Sequence, residues 1–154
     1  KQPLTLEHSG EKTMSDIFPG DYAAEEIGIF WDIEQCKIPD ELNAGEVLNR
    51  VRSSLSSFGH HGPVSISGYG DMTGHEFPSE GIKLNHFPAG EMYARHTKML
   101  EDIIAWSAEH PKPSTLMLIV GDISDDFVEV VQLLKSKKNY HVIVIHPGDG
   151  FGSA

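Results

Sequence analysis

The chain has 154 residues, 39% of them hydrophobic, and its 23 acidic and 12 basic residues give a formal net charge of -11 with histidine neutral. This length and composition suit one globular domain with its own core. The negative charge excludes a domain that holds nucleic acid by electrostatics alone, because phosphate contacts come from Lys and Arg. It leaves open a nuclease whose acidic cleft is loaded with a divalent metal ion.

Compartment and domain limits follow from the same sequence. No apolar run approaches the roughly 20 residues of a membrane helix, so we expect no membrane partner. The single cysteine, Cys36, forms no internal disulfide, which fits a reducing compartment. The chain does not start with Met, and we expect it to be a fragment of a longer protein. Residues 1–24 are expected to be a flexible, mostly irregular leader, 25–147 the domain and 148–154 a loose tail.

The first half of the chain predicts three strands and one helix. A continuous apolar run over residues 27–31 predicts a central parallel strand. Apolar residues spaced by three and four over 46–58 predict a helix. Alternation over 64–69 and again over 82–86 predicts two more strands, with a Gly- and Pro-containing loop between them over 73–81.

The second half alternates helices and strands. A helix is predicted over about 94–109, ended by the Pro-rich stretch that follows it. Residues 115–120 form the most apolar predicted strand, and residues 142–145 the last one. Between them an apolar face over 127–134 predicts a helix. The order β-α-β-β-α-β-α-β predicts an α/β fold, a three-layer α/β/α arrangement around a mostly parallel sheet of about five strands.

Three predicted strands are followed by an aspartate, namely Asp32, Asp71 and Asp122. Ligand sites of open α/β sheets lie at the carboxyl ends of the strands. Carboxylates gathered at one edge repel one another and require a cation to stay ionised together. Oxygen ligands suit Mg²⁺ or Mn²⁺. The pattern therefore indicates a metal-dependent hydrolytic site, although any one of these aspartates is explained about equally well as a turn or helix cap.

Other sites are less well supported. The chain contains no P-loop, no glycine-rich dinucleotide motif and no nucleophile elbow. Its nine histidines are scattered and no zinc-ligand spacing occurs. No nucleophile signature surrounds Cys36. A haloacid-dehalogenase-type phosphatase is disfavoured, because Asp32 is followed two residues later by Glu34 where that class has Asp.

Four stretches of the chain resemble the motifs of NYN domains, which are PIN-like ribonuclease domains. Residues 29–36 are similar to F-W-D-I-E-N-C and residues 67–71 to A-Y-G-D. Residues 84–90 are similar to L-N-H-V-P-A-G, and residues 119–127 to I-S-G-D-R-D-F. The resemblance spans about 27–147 and is closest to plant NYN endoribonucleases related to the meiosis-regulator and limkain-type proteins.

The resemblance implies a metal-dependent endoribonuclease that hydrolyses phosphodiester bonds of single-stranded RNA, including mRNA. In such domains clustered carboxylates hold Mg²⁺ or Mn²⁺, which activates a water molecule and stabilises developing charge. Asp32, Asp71 and Asp122 match acidic family positions and are implied as catalytic and metal-binding residues. Asp126 matches the catalytic acid before Phe, in a loop that is one residue longer here.

One stretch departs from the family pattern, which runs K-D-A-S-D-K-K after P-A-G. His96 stands at the position of the middle acid and Met92 at that of the early lysine. A neutral imidazole can bind metal, so His96 is a candidate ligand, but the cluster loses one negative charge. The alternative is a degenerate NYN domain that acts as an RNA-binding or protein-docking module. Acids within bridging reach of a metal would favour the nuclease, whereas a salt bridge filling the site would favour the degenerate domain.

Candidate RNA-binding residues are Arg95, Lys98 and Lys37, which lie near the expected cleft; solvated helix charges explain them about as well. Tyr93 is a candidate for base stacking, whereas Trp31 and Tyr69 are expected in the core. The resemblance implies partners among mRNA-decay or decapping proteins and a longer chain with OST/LOTUS-type modules. It also implies a cytoplasmic location, including mRNA-processing granules.

Overall fold

The computed structural model describes residues 7–9, 24–37, 43–73, 82–121 and 124–145. The strands are β1 (Glu7–Ser9), β2 (Ile27–Asp32), β3 (Val64–Gly70), β4 (Lys83–His86), β5 (Thr115–Ile119) and β6 (His141–Ile145). The helices are α1 (Ala44–Ser57), α2 (Met92–Glu109) and α3 (Asp125–Lys138). In this part of the chain no helix is long and apolar enough to cross a membrane.

The strands form one sheet in the order β1-β6-β5-β2-β3-β4. Five of them, β2 to β6, run parallel to one another. This confirms the predicted α/β/α fold around a mostly parallel sheet of about five strands. The carboxyl ends of β2, β3 and β5 consequently meet at one edge of the sheet, as the aspartate pattern requires.

A sixth strand, β1, was not predicted. It pairs antiparallel with β6, so that Glu7 lies opposite Val144. The sequence Glu-His-Ser carries no apolar alternation, so nothing local marks it as a strand. The backbone groups at the edge of β6 select it, because an edge strand offers unpaired N–H and C=O groups to any extended segment. The leader that was expected to be mostly irregular therefore contains one three-residue strand.

Helix α1 covers one face of the sheet. It begins at a capping box in which Asn43 Oδ1 accepts from the Glu46 amide (2.9 Å) and Glu46 Oε1 accepts from the Asn43 amide (3.0 Å). This cap places the start of the helix before the first apolar residue of the pattern. The face of α1 contributes Val47, Leu48, Val51 and Leu55 to this layer of the core. They pack with Trp31 and the other strand residues of the layer: Ile27, Ile29, Ile66, Met117, Ile119, Ile143 and Ile145.

Helices α2 and α3 cover the opposite face. The buried residues of α2 begin with the adjacent pair Arg95 and His96 and then recur every three or four positions at Met99, Ile103 and Ser107. Ile104 is 53% exposed, because it lies about 100° around the helix from Ile103. Trp106 lies over Gly28 so closely that a Cβ at Gly28 would come within 2.8 Å of the indole ring. That contact explains a glycine inside a central strand.

The amino end of β2 carries a perturbed carboxyl group. Burial raises the pKa of Glu25 to about 7, and the hydrogen bond that Thr115 Oγ1 donates to Glu25 Oε1 (3.4 Å) opposes only part of this rise. Because the pKa is higher in the folded protein than in the unfolded chain, folding favours the protonated form. The associated stability is complete below about pH 4.5 and is lost as the pH rises through about 7.

We therefore expect the Glu25→Gln variant to become more stable relative to wild type as the pH rises from 4.5 to 8, by a few degrees in Tm. Thermal unfolding measured across this range tests the prediction. Glu101→Gln, which changes an exposed carboxyl group on α2, is the control and should follow wild type. A difference between Glu25→Gln and wild type that stays constant with pH would contradict the assignment.

Candidate functional site

The candidate site begins in the turn that follows β2. Asp32 is the last residue of β2, and its Oδ1 accepts hydrogen bonds from the amides of Glu34 (3.1 Å) and Gln35 (3.2 Å). The Cys36 amide donates to the Asp32 carbonyl (2.9 Å), and Trp31 Nε1 donates to the Cys36 carbonyl (2.8 Å). These bonds fold residues 32–36 into a closed turn whose aspartate side chain points to the α2 face.

Asp32 is sealed by two consecutive residues of α2. Arg95 Nε lies 2.9 Å from Asp32 Oδ1, and His96 Nε2 lies 2.7 Å from Oδ2. Arg95 Nη1 also lies 3.3 Å from Glu34 Oε1. The side chains of Asp32 and Arg95 are both 0% exposed. The guanidinium N–H groups do not point along these lines closely enough to form hydrogen bonds, so the attraction to the carboxylates is mainly coulombic.

The surroundings keep Asp32 ionised. Burial alone would raise the pKa of Asp32, but the hydrogen bonds from His96 and from the Gln35 amide, together with the charge of Arg95, outweigh burial and lower it below the ordinary value. Nearby, burial and the negative charge of Asp32 raise the pKa of the Cys36 thiol to about 12. A thiol that stays protonated is a poor nucleophile, in agreement with the weak sequence support for Cys36 in catalysis.

His96 contacts Asp32 in a way that limits metal binding. An ionised carboxylate only accepts hydrogen bonds, so Nε2 of His96 carries the proton in the 2.7 Å contact. A protonated ring nitrogen has no free lone pair for a metal ion. The ring also packs edge-on against Phe127, with centroids 5.2 Å apart. The structure thus brings the predicted residues Asp32 and His96 together as a hydrogen-bonded pair.

Two residues of the turn link it to neighbouring loops, and sequence reasoning did not predict these links. Glu34 accepts a hydrogen bond from the Gly90 amide (3.0 Å to Oε1) besides its contact with Arg95. Gln35 Oε1 accepts from the Gly121 amide (3.2 Å), and its Nε2 reaches Met92 Sδ at 3.5 Å. The one available signal was the position of Glu34, two residues after the first strand-end aspartate.

Asp71 occupies a different environment. In the register of β2 and β3, Asp32 lies opposite Tyr69, so Asp71 stands two residues further along. Its side chain is 38% exposed, and its Oδ1 accepts from the Thr73 amide (2.9 Å). The ring of His86 approaches to 4.0 Å, but its Nδ1 accepts from the Met72 amide and therefore carries no proton. His86 Nδ1 therefore donates no hydrogen bond to Asp71.

The third strand-end aspartate, Asp122, lies outside the described residues. Asp126, predicted as catalytic, is exposed in the first turn of α3 beside Asp125. The helix dipole by itself favours acids at this position. Ser124 is the N-cap residue of α3. The catalytic roles of Asp71, Asp122 and Asp126 remain predictions.

The candidate RNA-binding residues divide into buried and exposed groups. Arg95 is corrected from a phosphate-binding residue to a core residue, because its side chain is fully buried against Asp32. Lys98 is 43% exposed and pairs with Asp102 (3.2 Å), which also accepts a hydrogen bond from Tyr69 Oη (2.8 Å). Lys37 is exposed. Their contact with RNA remains a prediction.

The three aromatic residues considered for base stacking differ in exposure. Trp31 and Tyr69 are 0% exposed, which confirms that both belong to the core. Tyr93, in contrast, is 86% exposed near the start of α2.

The donor set around Asp32 does not fit a divalent metal ion. Both carboxylate oxygens are engaged, and the charge of Arg95 already neutralises the carboxylate. Across the described ranges, no three His, Cys, Asp or Glu side chains lie close enough together to hold a metal. The arrangement is the salt bridge that the sequence analysis associated with a degenerate domain.

A model of the NYN domain family matches residues 26–152, which is most of the chain. The chain belongs to the NYN domain family. This confirms the resemblance drawn from the strand-end motifs and places the fold among PIN-like nuclease folds.

Similar proteins include the "Meiosis regulator and mRNA stability factor 1" of three vertebrates. The Xenopus tropicalis protein is 27% identical over 125 residues, and those of Bos taurus and Mus musculus are each 26% identical over 125 residues. Each match covers 78% of this chain but only 7% of the relative. The similarity therefore concerns one domain of much longer proteins that are named for mRNA stability.

Proposed function

We propose that this NYN domain binds single-stranded RNA in mRNA metabolism without cleaving it. The observation that carries the proposal is the closure of Asp32, at the end of the central strand, by Arg95 and His96. Family membership and the names of the relatives supply the association with RNA.

Hydrolysis by the chemistry that the family implies would require Asp32 to hold Mg²⁺ or Mn²⁺. A metal ion could reach Asp32 only by displacing Arg95 from Oδ1 or His96 from Oδ2, and displacing Arg95 would strand a guanidinium in a fully buried position. Removing one partner of a buried ion pair costs about 3–5 kcal/mol. The closed centre is therefore the more stable arrangement, and we derive no metal-dependent step from it.

Exposed side chains on α2 and after the turn that follows β2 support RNA binding. Tyr93 presents an aromatic ring on which an unpaired base can stack, a contact worth about 1–3 kcal/mol per base. Lys98 and Lys37 are accessible to phosphate oxygens. Since the chain has a net charge of -11, we expect stacking rather than ion pairing to contribute most of the affinity and the salt dependence to be shallow.

A second candidate function is a Mg²⁺- or Mn²⁺-dependent endoribonuclease. It is favoured by the accessible carboxylates of Asp71, which directly follows β3, and of Asp126, which lies in the first turn of α3. In either case the proposed setting is cytoplasmic mRNA decay, within a longer chain that carries OST/LOTUS-type modules and contacts decay or decapping proteins.

The two functions predict different results with a fluorescent single-stranded RNA oligomer in Mn²⁺. We expect wild type to bind the oligomer and leave it intact, and Tyr93→Ala to bind it at least about fivefold more weakly. Fluorescence anisotropy and a denaturing gel measure the two properties. Phe58→Ala, which removes a 47% exposed aromatic ring just after α1, is the matched control and should bind as wild type does.

Cleavage would decide for the second candidate. If wild type cuts the RNA in Mn²⁺ and Asp32→Asn does not, the domain is a nuclease and the closure of Asp32 is reversible. If Tyr93→Ala and Phe58→Ala bind equally well, the stacking surface is wrongly placed.

A further inference from the structure

We infer that Arg95 and His96 are a built-in replacement for a divalent cation, so that the carboxyl groups of Asp32 and Glu34 at the end of β2 are held in place without metal. The inference rests on the proposed non-cleaving function and adds to it the means by which the centre is stabilised. It changes the role of Arg95 from the RNA contact expected from sequence to a positioning residue for Asp32 and Glu34.

The two carboxylate oxygens of Asp32 have different partners on α2. Oδ1 faces Arg95 Nε and Oδ2 faces His96 Nε2, at 2.9 and 2.7 Å. Neighbouring residues of one helix therefore cover both oxygens. A metal ion bound to Asp32 would have to displace at least one of these two groups.

Arg95 supplies positive charge to more than one carboxyl group. Arg95 lies between two carboxylates, with Nε at Asp32 and Nη1 at Glu34. Bridging two carboxylate groups is what a bound cation does in a metal centre. Here a side chain does it from inside the core, since Arg95 is 0% exposed.

The partners of Arg95 and His96 also connect the turn after β2 to neighbouring segments. Glu34 also accepts from the Gly90 amide, so the Arg95 cation is linked to the loop that precedes α2. His96 is packed against Phe127 of α3. Arg95 thus joins the end of β2 to the start of α2, and His96 joins Asp32 to α3.

The test is to remove the internal cation and supply a carboxylate in its place. In the double variant Arg95→Ser/His96→Asp, a small neutral residue uncovers Asp32 and a second acid is introduced beside it. We expect this variant to bind Mn²⁺ about tenfold or more tightly than wild type in calorimetry without RNA. We also expect its Tm to rise with added Mn²⁺ and fall with EDTA, whereas the wild-type Tm is indifferent to both.

The matched control is Arg52→Ser/His61→Asp, which makes the same change of charge at exposed positions around α1. It should bind Mn²⁺ no better than wild type. Equal Mn²⁺ binding by the control and by the Arg95/His96 variant would overturn the inference. So would an increase in the Tm of wild type on adding Mn²⁺, if the Tm of Asp32→Asn does not increase. Because these readouts contain no RNA, their failure is distinct from RNA cleavage, which would overturn the proposed function.

If Arg95→Ser/His96→Asp does not fold, the Tm values of other variants at Arg95 test the inference. If Arg95 acts as a counter-charge, the Tm of Arg95→Lys should stay close to that of wild type, and the Tm of Arg95→Gln should be much lower. The Tm of Arg95→Gln/Asp32→Asn should be higher than that of Arg95→Gln. If Arg95→Lys and Arg95→Gln lower the Tm equally, and Arg95→Gln/Asp32→Asn has no higher a Tm than Arg95→Gln, then Arg95 acts only by filling space.

Discussion

Replacing Arg95 with Met should lower the free energy of unfolding by about 3–5 kcal/mol. Met keeps much of the length and apolar surface of the side chain but removes the charge that faces Asp32 at 2.9 Å. The buried carboxylate would then be left without its cation in a site that is closed to water. Urea unfolding followed by circular dichroism measures the effect, with an unchanged m-value showing that the folded and unfolded states keep their compactness.

Lys98→Met is the matched control for this prediction. It removes a cation three residues further along α2 whose partner is Asp102 at 3.2 Å, but Lys98 is 43% exposed. Exposed pairs contribute about 0–1 kcal/mol. If both variants lose the same small amount of stability, the Arg95 pair does not stabilise the core as argued.

Replacing Trp31 with Ala should lower the free energy of unfolding by about 3–5 kcal/mol, because it opens a large cavity beneath α1. Trp31 is 0% exposed, and its Nε1 donates to the Cys36 carbonyl that closes the turn after Asp32. The variant should therefore lose order in the turn as well as stability. Urea unfolding and hydrogen exchange of the Glu34 and Gln35 amides measure the two effects.

The Trp31→Phe variant separates packing from hydrogen bonding. Phenylalanine keeps much of the apolar volume but leaves the Cys36 carbonyl without its 2.8 Å donor. A buried acceptor left in this way costs about 1–3 kcal/mol. Faster exchange of the two turn amides in Trp31→Phe would attribute the turn to this hydrogen bond, whereas unchanged exchange would attribute it to packing alone.

The closed centre and the family fold are compatible because they depend on different residues. The fold depends on the apolar strands and on the helix faces that cover them, such as Leu118 in β5 and Met99 in α2. The chemistry of the centre depends on a few polar side chains at the carboxyl edge of the sheet. Residues 95 and 96 can therefore change the centre while β2, β3 and β5 keep their order.

The sequence predicted the sheet and its three helices because burial leaves a periodic record. The apolar runs at β2 and β5 and the three- and four-residue spacing in α1 report which side faces the core. Helix starts were less well predicted, since α1 begins at the Asn43 cap and not at its first apolar residue. Strand β1 was missed because its pairing is selected by β6 and not by its own residues.

The sequence also determined where the acidic centre lies, since motif and strand end coincide at Asp32. Only the tertiary structure decided which side chains contact that aspartate. A signal for Arg95 was present: it lies four residues before Met99 and eight before Ile103, on the apolar stripe of α2. Periodicity shows that such a position is buried but not which charge faces it. The partner of Arg95 is Asp32, 63 residues away, and parallel strand pairing and helix packing bring the two charges within 2.9 Å.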